Sequence, residues 1–334
     1  PKAKLFAVGH FHSLAAAIAA TEDALELNAA AIEMIDRTIL ELSRSKHEYR
    51  ALSQTIEGDP AALLFVTFFG DTVEEARAQL DGLEQAWSRH GHGYHTLRAE
   101  TPAEQEALTK VRKAGLGLLM AASSGARRPL AFVEDTAVAP ERLNDYVAAF
   151  KEILDRHGLT AGWYGHCSVG CLHIRPFVDL TEPGGVETMS AVAEEIVDLV
   201  AAFDGVNSSE HGDGRVRSAF NRRIFGDELY DAFREVKALF DPHNRLNPGV
   251  MVEAAPLTEG LRDPALPPPG PLETRLHFPD GMRAAADRCQ RIGACRKTGI
   301  GVMCPSYMAT REEEHATRGR ANALVKALSS PDPE

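Results

Sequence analysis

Two segments of the chain repeat one pattern of strand, turn and helix, and this repeat constrains the fold more than any other feature. They read ALLFVTFFGDTVEEARAQLDGLEQAWSRHG from Ala62 and PLAFVEDTAVAPERLNDYVAAFKEILDRHG from Pro129. Each begins with an apolar run, continues with apolar residues at helical spacing and stops at a glycine. TLRA and TAGWYG follow the helices as return strands. We therefore predict an α+β fold, in which ferredoxin-like repeated β-α-β units form an antiparallel sheet with helices on one face, followed by a helical C-terminal segment.

Local signals refine the two repeats. Asp71 followed by Glu74 predicts a capping box at the start of the first helix. Pro140 suits the first turn of the second helix, and Gly158 ends it. The run PLAFVED predicts a strand before that helix.

A proline-rich stretch divides the chain. Residues 255–271 read APLTEGLRDPALPPPGP and predict a stiff linker or a surface-hugging arm between a domain at 1–254 and a mainly helical segment at 272–334. That segment carries three of the five cysteines and has few large apolar residues for a core of its own.

Charge and hydropathy exclude several classes of protein. The net charge is −12, from 36 basic and 48 acidic residues, which argues against binding nucleic acid or anionic lipid through charge alone. No apolar run approaches the roughly 20 residues that span a bilayer, and the N-terminal residues lack the apolar core of a signal peptide. We expect a cytoplasmic protein, with a peripheral position at the inner membrane face as the alternative.

The stretch WYGHCSVGCLHIRP suggests a metal site. Read as a hairpin that turns at residues 168–170, it sets His166 and His173 opposite one another. The loop SSEHGDGR supplies Glu210 and His211, and a His-His-carboxylate set with an open position is how catalytic divalent metals are commonly bound. The alternative is that these are structural or surface histidines, and Cys167 and Cys171 are weaker candidates still.

Two arginines are candidates for binding an anionic group. Arg112 and Arg128 stand in apolar surroundings and could clamp a carboxylate, although either could be an ordinary surface charge. The remaining histidines, including His10, His12, His90, His92 and His95, have no carboxylate at a ligand spacing, and we expect no metal site from them.

The last cysteines suggest an iron-sulfur cluster. Cys289 and Cys295 match the first and third positions of a ferredoxin C-x2-C-x2-C run, Ile292 occupies the middle position, and Cys304 with Pro305 gives the closing Cys-Pro. Zinc is the competing interpretation, but the paired C-x2-C knuckles of zinc sites are absent from the sequence. Three thiolates suit a three-iron cluster, or a four-iron cluster with a ligand from elsewhere.

Four motifs, which follow one another in the chain as FVEDTAV, GHCSVGCLH, SSEHGDGR and LFDPHNRLNPG, resemble the C-terminal substrate domain of FAD-linked oxidases of the vanillyl-alcohol oxidase superfamily. The closest branch contains D-lactate, glycolate and D-2-hydroxyglutarate dehydrogenases. The run RCQRIGAC…MCPSY…EEEHATRGRA resembles the iron-sulfur module fused behind that domain. The combined resemblance covers most of the chain.

The resemblance implies a flavin enzyme that oxidises a D-2-hydroxy acid to the 2-oxo acid and passes electrons to iron-sulfur clusters. Residues matching His166, His173 and Glu210 hold a divalent metal, usually zinc, and the residue matching His211 acts as the base. Arg112, and more weakly Arg128, would grip the substrate carboxylate, and Asn247 is a weak candidate to contact FAD.

The resemblance also implies partners for this chain. FAD would be bound mainly by an N-terminal domain, and further cysteine-rich segments would follow, so the chain reads as a fragment that alone is inactive and binds no FAD tightly. Its cysteine segment could then lack a cluster. Two other hypotheses stay open: a His-His-Glu metallohydrolase, and a non-catalytic, metal-stabilised ferredoxin-like binding module.

Overall fold

The fold is that of a computed structural model, which describes residues 2–47, 55–122, 126–261, 275–279, 281–289, 291–299, 301 and 303–329. The chain divides into two compact units. Unit 1 comprises Pro1–Asp179 and Val186–Glu259, and unit 2 comprises Leu180–Gly185 and Gly260–Glu334. Most of the predicted linker, residues 262–271, lies outside the described residues, so the boundaries at 254 and 271 stay predictions.

The strands of unit 1 alternate with helices along the chain. The strands are β1 (Ala3–Phe11), β2 (Ala31–Asp36), β3 (Ala62–Gly70), β4 (His95–Ala99), β5 (Arg128–Pro129), β6 (Thr136–Ala137), β7 (Ala161–His166) and β8 (Cys171–Val178). The helices are α1 (Leu14–Glu26), α2 (Arg37–Arg44), α3 (Val73–His90), α4 (Pro102–Ala121), α5 (Leu143–Arg156), α6 (Gly185–Ala202), α7 (Gly214–Arg217) and α8 (Asn221–Phe240).

The eight strands form one sheet in the order β4-β1-β3-β2-β7-β8-β5, with β6 also paired to β8. Every pairing between named strands is antiparallel. The predicted antiparallel sheet is therefore confirmed. Because β2 lies beside β7, residues separated by more than 100 positions in sequence become neighbours at the centre of the sheet.

Apolar residues of the sheet pack on helices at both faces. Phe6 and Val8 of β1 belong to a buried cluster with Ile39 of α2 and Val111 of α4. Strand side chains alternate between faces, so Gly9 faces the other way, where the ring of Trp87 from α3 lies against it. The helices α2 and α4 thus add a second layer to the one-sided helical layer expected from the repeats.

The first repeat forms as expected except at its start. The carboxylate of Glu75 accepts a hydrogen bond from the Asp71 amide at 2.8 Å, and the Glu75 amide donates to the Thr72 hydroxyl at 3.2 Å. The predicted box of Asp71 and Glu74 is therefore wrong by one position, because Thr72 rather than Asp71 is the N-cap. Threonine is itself a good capping residue.

The second repeat differs more. The predicted strand PLAFVED is wrong, because this part of the chain pairs with β8 only at Arg128–Pro129 and Thr136–Ala137. Asp135 interrupts the strand with a φ of 68°, in the left-handed region that L residues rarely adopt. This interruption turns two acidic residues, Glu134 and Asp135, toward the functional site described below.

Unit 2 is helical where it is described, as predicted for the C-terminal segment. Its helices are α9 (Gly281–Asp287), α10 (Pro305–Thr310) and α11 (Thr317–Leu328). A small buried cluster of Cys295, Cys304, Tyr307 and Ala316 forms its core. Across the described ranges of both units, none of the helices combines the length and the apolar character needed to span a bilayer.

Candidate active site

The hairpin of β7 and β8 sets the frame of the site. A single 3₁₀ turn at Cys167–Val169 joins the strands, and Gly170 follows with a φ of 67°. A Cβ at Gly170 would lie 1.8 Å from the carbonyl oxygen of Val138, so only glycine fits. His166 pairs in register with Cys171, and Tyr164 pairs with His173. The two histidines are therefore diagonal neighbours rather than the directly opposed pair expected from the sequence.

Glu210 joins the predicted ligands. Its Oε1 lies 3.3 Å from Nε2 of His166, 3.1 Å from Nε2 of His173 and 3.4 Å from Nε2 of His211. The rings of His166 and His173 are 5.2 Å apart and nearly perpendicular, while those of His173 and His211 stack at 4.8 Å. We call these four residues the Glu210 cluster. The structure thus brings together every predicted metal ligand and the predicted base.

Asp135 holds the loop that carries Glu210 and His211. Its carboxylate accepts hydrogen bonds from the hydroxyls of Ser208 at 2.6 Å and Ser209 at 2.9 Å, and from the amides of Glu210 at 3.2 Å and His211 at 2.9 Å. Burial opposes its charge, but these hydrogen bonds outweigh that effect and hold the pKa of Asp135 well below its ordinary value. Asp135 is fully buried, and because these hydrogen bonds favour its charged form, it fixes the loop as an anion.

His173 is suited to bind a cation as a neutral imidazole. Its residue is 3% exposed. Burial, together with the neighbouring His211 and His166, lowers the pKa of His173 to about 4. A neutral imidazole keeps the lone pair that a metal needs. Nδ1 lies 4.0 Å from Asp135, outside hydrogen-bonding distance, whereas Nε2 faces Glu210.

Glu33 of β2 orients His166 from the neighbouring strand. Its Oε2 lies 2.7 Å from Nδ1 of His166 and pairs with the guanidinium of Arg112. The hydrogen bond to Glu33 raises the pKa of His166, and it leaves Nε2 to face Glu210. A carboxylate on the far nitrogen of a ligand histidine fixes the ring and raises its basicity.

Glu134 pairs with Arg175 and also contacts His211. In the ion pair with Arg175, both side chains are 8% exposed. Oε1 of Glu134 lies 3.4 Å from Nδ1 of His211. Glu134 can therefore orient the imidazole of His211 from the Nδ1 side, while Nε2 faces Glu210.

A cavity of about 190 Å³ lies beside the cluster. Its walls include His166, His173, His211, Arg112 and Tyr164. One amino group of the Arg112 guanidinium pairs with Glu33, and its other N–H donors can bind a carboxylate in the cavity. A small anionic molecule would thus meet a guanidinium and three imidazoles.

The structure does not bring Arg128 to this cavity. Arg128 pairs with Val178. Val178 is five residues beyond His173 on β8, or roughly 16 Å along the strand. Asn247 is exposed in the loop after α8, with a φ of 52°. Neither residue lines the cavity, and their suggested roles stay predictions.

The cysteines fall into two chemically distinct sets. Burial raises the pKa of Cys167 and of Cys171 to about 12, so these hairpin thiols are protonated and inert. In unit 2, Cys289 and Cys295 line an apolar cavity of about 580 Å³. Hydrogen bonds from the Tyr307 amide and the Ser306 hydroxyl lower the pKa of Cys304 to about 7, which favours its ligand form.

Sequence reasoning missed Glu33 altogether. Its signal was present, because AIEMID alternates apolar and polar residues and places a carboxylate within a strand. What the sequence does not reveal is that β2 pairs with β7, and this pairing sets Glu33 directly against His166.

The sequence of this chain is similar to that of several known proteins. The family model described as FAD linked oxidases, C-terminal domain, matches residues 1–251. The D-2-hydroxyglutarate dehydrogenase of Escherichia coli (strain K12) is 34% identical over 324 residues, which cover 91% of this chain and 31% of that protein. The D-lactate dehydrogenase of Archaeoglobus fulgidus is 28% identical over 223 residues, 66% of this chain and 45% of that protein. The chain thus spans about a third of the length of the former relative.

A solved structure of p-cresol methylhydroxylase with substrate bound matches the fold with a TM-score of 0.53. That match is 15% identical and covers 75% of this chain and 53% of the other. At this identity it supports the fold alone.

Proposed function

Because this chain belongs to the FAD-linked oxidases through their C-terminal domain, we propose that the Glu210 cluster is the substrate site of a flavin-dependent D-2-hydroxy acid dehydrogenase. The observation that carries the proposal is the convergence of three imidazoles on one oxygen of Glu210. The names of the relatives, D-2-hydroxyglutarate and D-lactate dehydrogenase, support a small 2-hydroxy acid as the substrate class.

His166, His173 and Glu210 would hold a divalent metal, and zinc suits two imidazoles and a carboxylate with an open position. Three features of the protein support this donor set: His173 is neutral, Glu33 orients His166, and Asp135 fixes the loop of Glu210. When bound, such an ion polarises the carboxylate and hydroxyl oxygens of the substrate and makes the hydroxyl more acidic.

Arg112 would orient the substrate by binding its carboxylate through N–H donors beyond the one shared with Glu33. His211 would accept the hydroxyl proton at Nε2, with Glu134 holding Nδ1. A flavin, which would be held mainly by another domain, would supply the acceptor for the hydride that leaves the substrate carbon. A metallohydrolase would need no such flavin, and membership of an FAD-linked family argues against it.

Electrons would leave through an iron-sulfur cluster held in part by Cys289, Cys295 and Cys304. The lowered pKa of Cys304 and the shared cavity of the other two support this role. We expect Cys304→Ser in the full-length enzyme to lower the iron and labile sulfide content. Cys167→Ala is the matched control, since its thiol is buried in the hairpin, and equal iron content in both variants would refute the assignment.

Metal analysis tests the central site. We expect His173→Ala and Glu210→Ala to lose one zinc ion per chain relative to the wild type. His243→Ala, which removes an exposed histidine, serves as the control. Unchanged zinc content in the two site variants would refute the metal site.

A further inference from the structure

A second set of His-His-carboxylate donors lies on the helical layer, away from the hairpin. Asp23 is on α1, His90 is the last residue of α3, and His92 follows two positions later. Nδ1 of His90 lies 2.8 Å from Oδ1 of Asp23, and Nε2 of His92 lies 3.8 Å from Oδ2. One donor atom from each residue falls within 4.8 Å of the other two. We call these three residues the Asp23 cluster.

Asp23 is an unusual residue for its position. It is 6% exposed on a helix face whose other buried residues are Ala17, Ile18, Ala20, Thr21 and Ala24. Within the described part of the chain, its Oδ2 is buried and accepts no hydrogen bond. A buried carboxylate oxygen without a partner is unfavourable. Since Oδ2 faces His92, a cation between the two would satisfy it.

The two histidines are held in place by the end of α3. The indole N–H of Trp87 donates to the carbonyl oxygen of Ala20 at 3.0 Å and so ties α3 to the backbone of α1. Gly91 turns the chain with a φ of 71°, and the amide of His92 then donates to the carbonyl of Trp87 at 2.8 Å. His92 is therefore returned to the same end of the helix as His90.

We propose that Asp23, His90 and His92 form a binding site for a divalent transition-metal ion of the Zn²⁺ class. Two imidazoles and one carboxylate select such ions over Mg²⁺ or Ca²⁺, which prefer oxygen donors. Donor atoms on a tetrahedral zinc lie about 3.3 Å apart, given bonds of about 2.0–2.1 Å. The spacings of 2.8 and 3.8 Å in the cluster bracket that value.

The ion would act as a clip between α1 and the C-terminal end of α3. The side chain of His90 is 46% exposed, so the fourth position faces solvent and can be taken by water. The site shares no residue with the Glu210 cluster, and it stands whether or not the proposed dehydrogenase function is correct. Sequence reasoning gave no metal site to His90 and His92, because their carboxylate is 67 positions away.

Zinc stoichiometry tests the proposal. The full chain carrying Glu210→Gln is dialysed against Zn²⁺ at low micromolar concentration, and bound zinc is counted per chain. Adding His90→Ala or Asp23→Asn should each remove one ion. His243→Ala and Glu22→Gln, which alter an exposed histidine and an exposed acid, should remove none. Circular dichroism confirms that each variant is folded.

A second measurement needs no variant. Zn²⁺ should protect His90 and His92 of the wild-type chain from carbethoxylation by diethyl pyrocarbonate, as read by peptide mapping, and should leave His243 reactive. Equal zinc content in all variants, or equal modification of His90 with and without Zn²⁺, would overturn the site.

Discussion

The Glu210 cluster and the Asp23 cluster offer similar donors in different surroundings. Strand β8 and a hydrogen-bonded loop carry His173 and Glu210, and His173 lines a cavity that Arg112 also lines. The Asp23 cluster instead joins the ends of two helices, and its histidines flank Gly91, the C-cap of α3. The same kinds of donor atom therefore do not by themselves make a catalytic site. Of the two clusters, only the Glu210 cluster has a guanidinium and a candidate base beside its donors.

The largest expected effect on one cluster alone comes from changing Asp135, which supports only the Glu210 cluster. Asp135→Asn removes a buried charge that accepts four hydrogen bonds and should lower the free energy of unfolding by about 4 kcal/mol. It should also release zinc from the Glu210 cluster but not from the Asp23 cluster. Urea unfolding and metal analysis measure the two effects.

Asp204→Asn is the matched control for that variant. Asp204 also has a positive φ, of 52°, but its side chain is 94% exposed. We expect its unfolding free energy to stay within about 0.5 kcal/mol of the wild type. Similar losses in both variants would contradict the assignment of the effect to the buried carboxylate of Asp135 and its hydrogen bonds.

The kcat/KM of variants in each cluster should show that only the Glu210 cluster takes part in turnover. Glu210→Gln should lower kcat/KM for the 2-hydroxy acid at least about 100-fold in the flavin-loaded enzyme, because a donor beside the substrate is lost. Asp23→Asn should leave kcat/KM unchanged. An equal loss in both variants would contradict the assignment of catalysis to one cluster alone.

Acid should weaken the fold through His10, and it should also release the metal proposed for either cluster. Burial and the neighbouring His95 lower the pKa of His10 from 6.5 to about 4. Between these values the unfolded chain binds more protons, so stability is full above about pH 6.5 and falls as the pH drops toward 4. From pH 7 to pH 5 we expect His10 alone to contribute a loss of about 2 kcal/mol.

His10→Gln should reduce the loss of unfolding free energy between pH 7 and pH 5, whereas His243→Gln should leave that loss unchanged. Urea unfolding at the two pH values measures it, and an unaltered slope in His10→Gln would assign the acid sensitivity to other groups. Metal loss at pH 5 can then be compared between the clusters after correction for unfolding.

The smallest effect concerns the helix that carries His90. Thr72 caps α3 at its other end, where its hydroxyl accepts the Glu75 amide at 3.2 Å. Thr72→Ala should cost about 1 kcal/mol of stability. It should leave zinc bound to both clusters, as measured by dialysis. Zinc loss from the Asp23 cluster alone would mean that this site depends on the whole helix rather than on its Trp87 anchor.

The sequence predicts what depends on neighbours along the chain. The hairpin around Gly170 and the stripe of α3 follow from local spacing. The ligand set of His166, His173 and Glu210 needs more than spacing, because Glu210 is suggested by its residue type in a separate loop and by the family resemblance. The structure departs from the prediction where strands distant in sequence pair, as at Glu33. It also departs from the prediction where one residue has a positive φ inside a predicted strand, as at Asp135. Asp23 was missed for the same reason, because its partners lie on another helix and helical spacing says nothing of contacts between helices.

Cobalt substitution tests the central claim most directly. In the chain carrying His92→Ala, Co²⁺ should bind at the Glu210 cluster and give a visible absorption spectrum. We expect that spectrum to change when a D-2-hydroxy acid is added, and not when the matching acid without the hydroxyl is added. A spectrum that neither acid alters, or Co²⁺ binding that persists unchanged after Glu210→Gln, would contradict a substrate site at His166, His173 and Glu210.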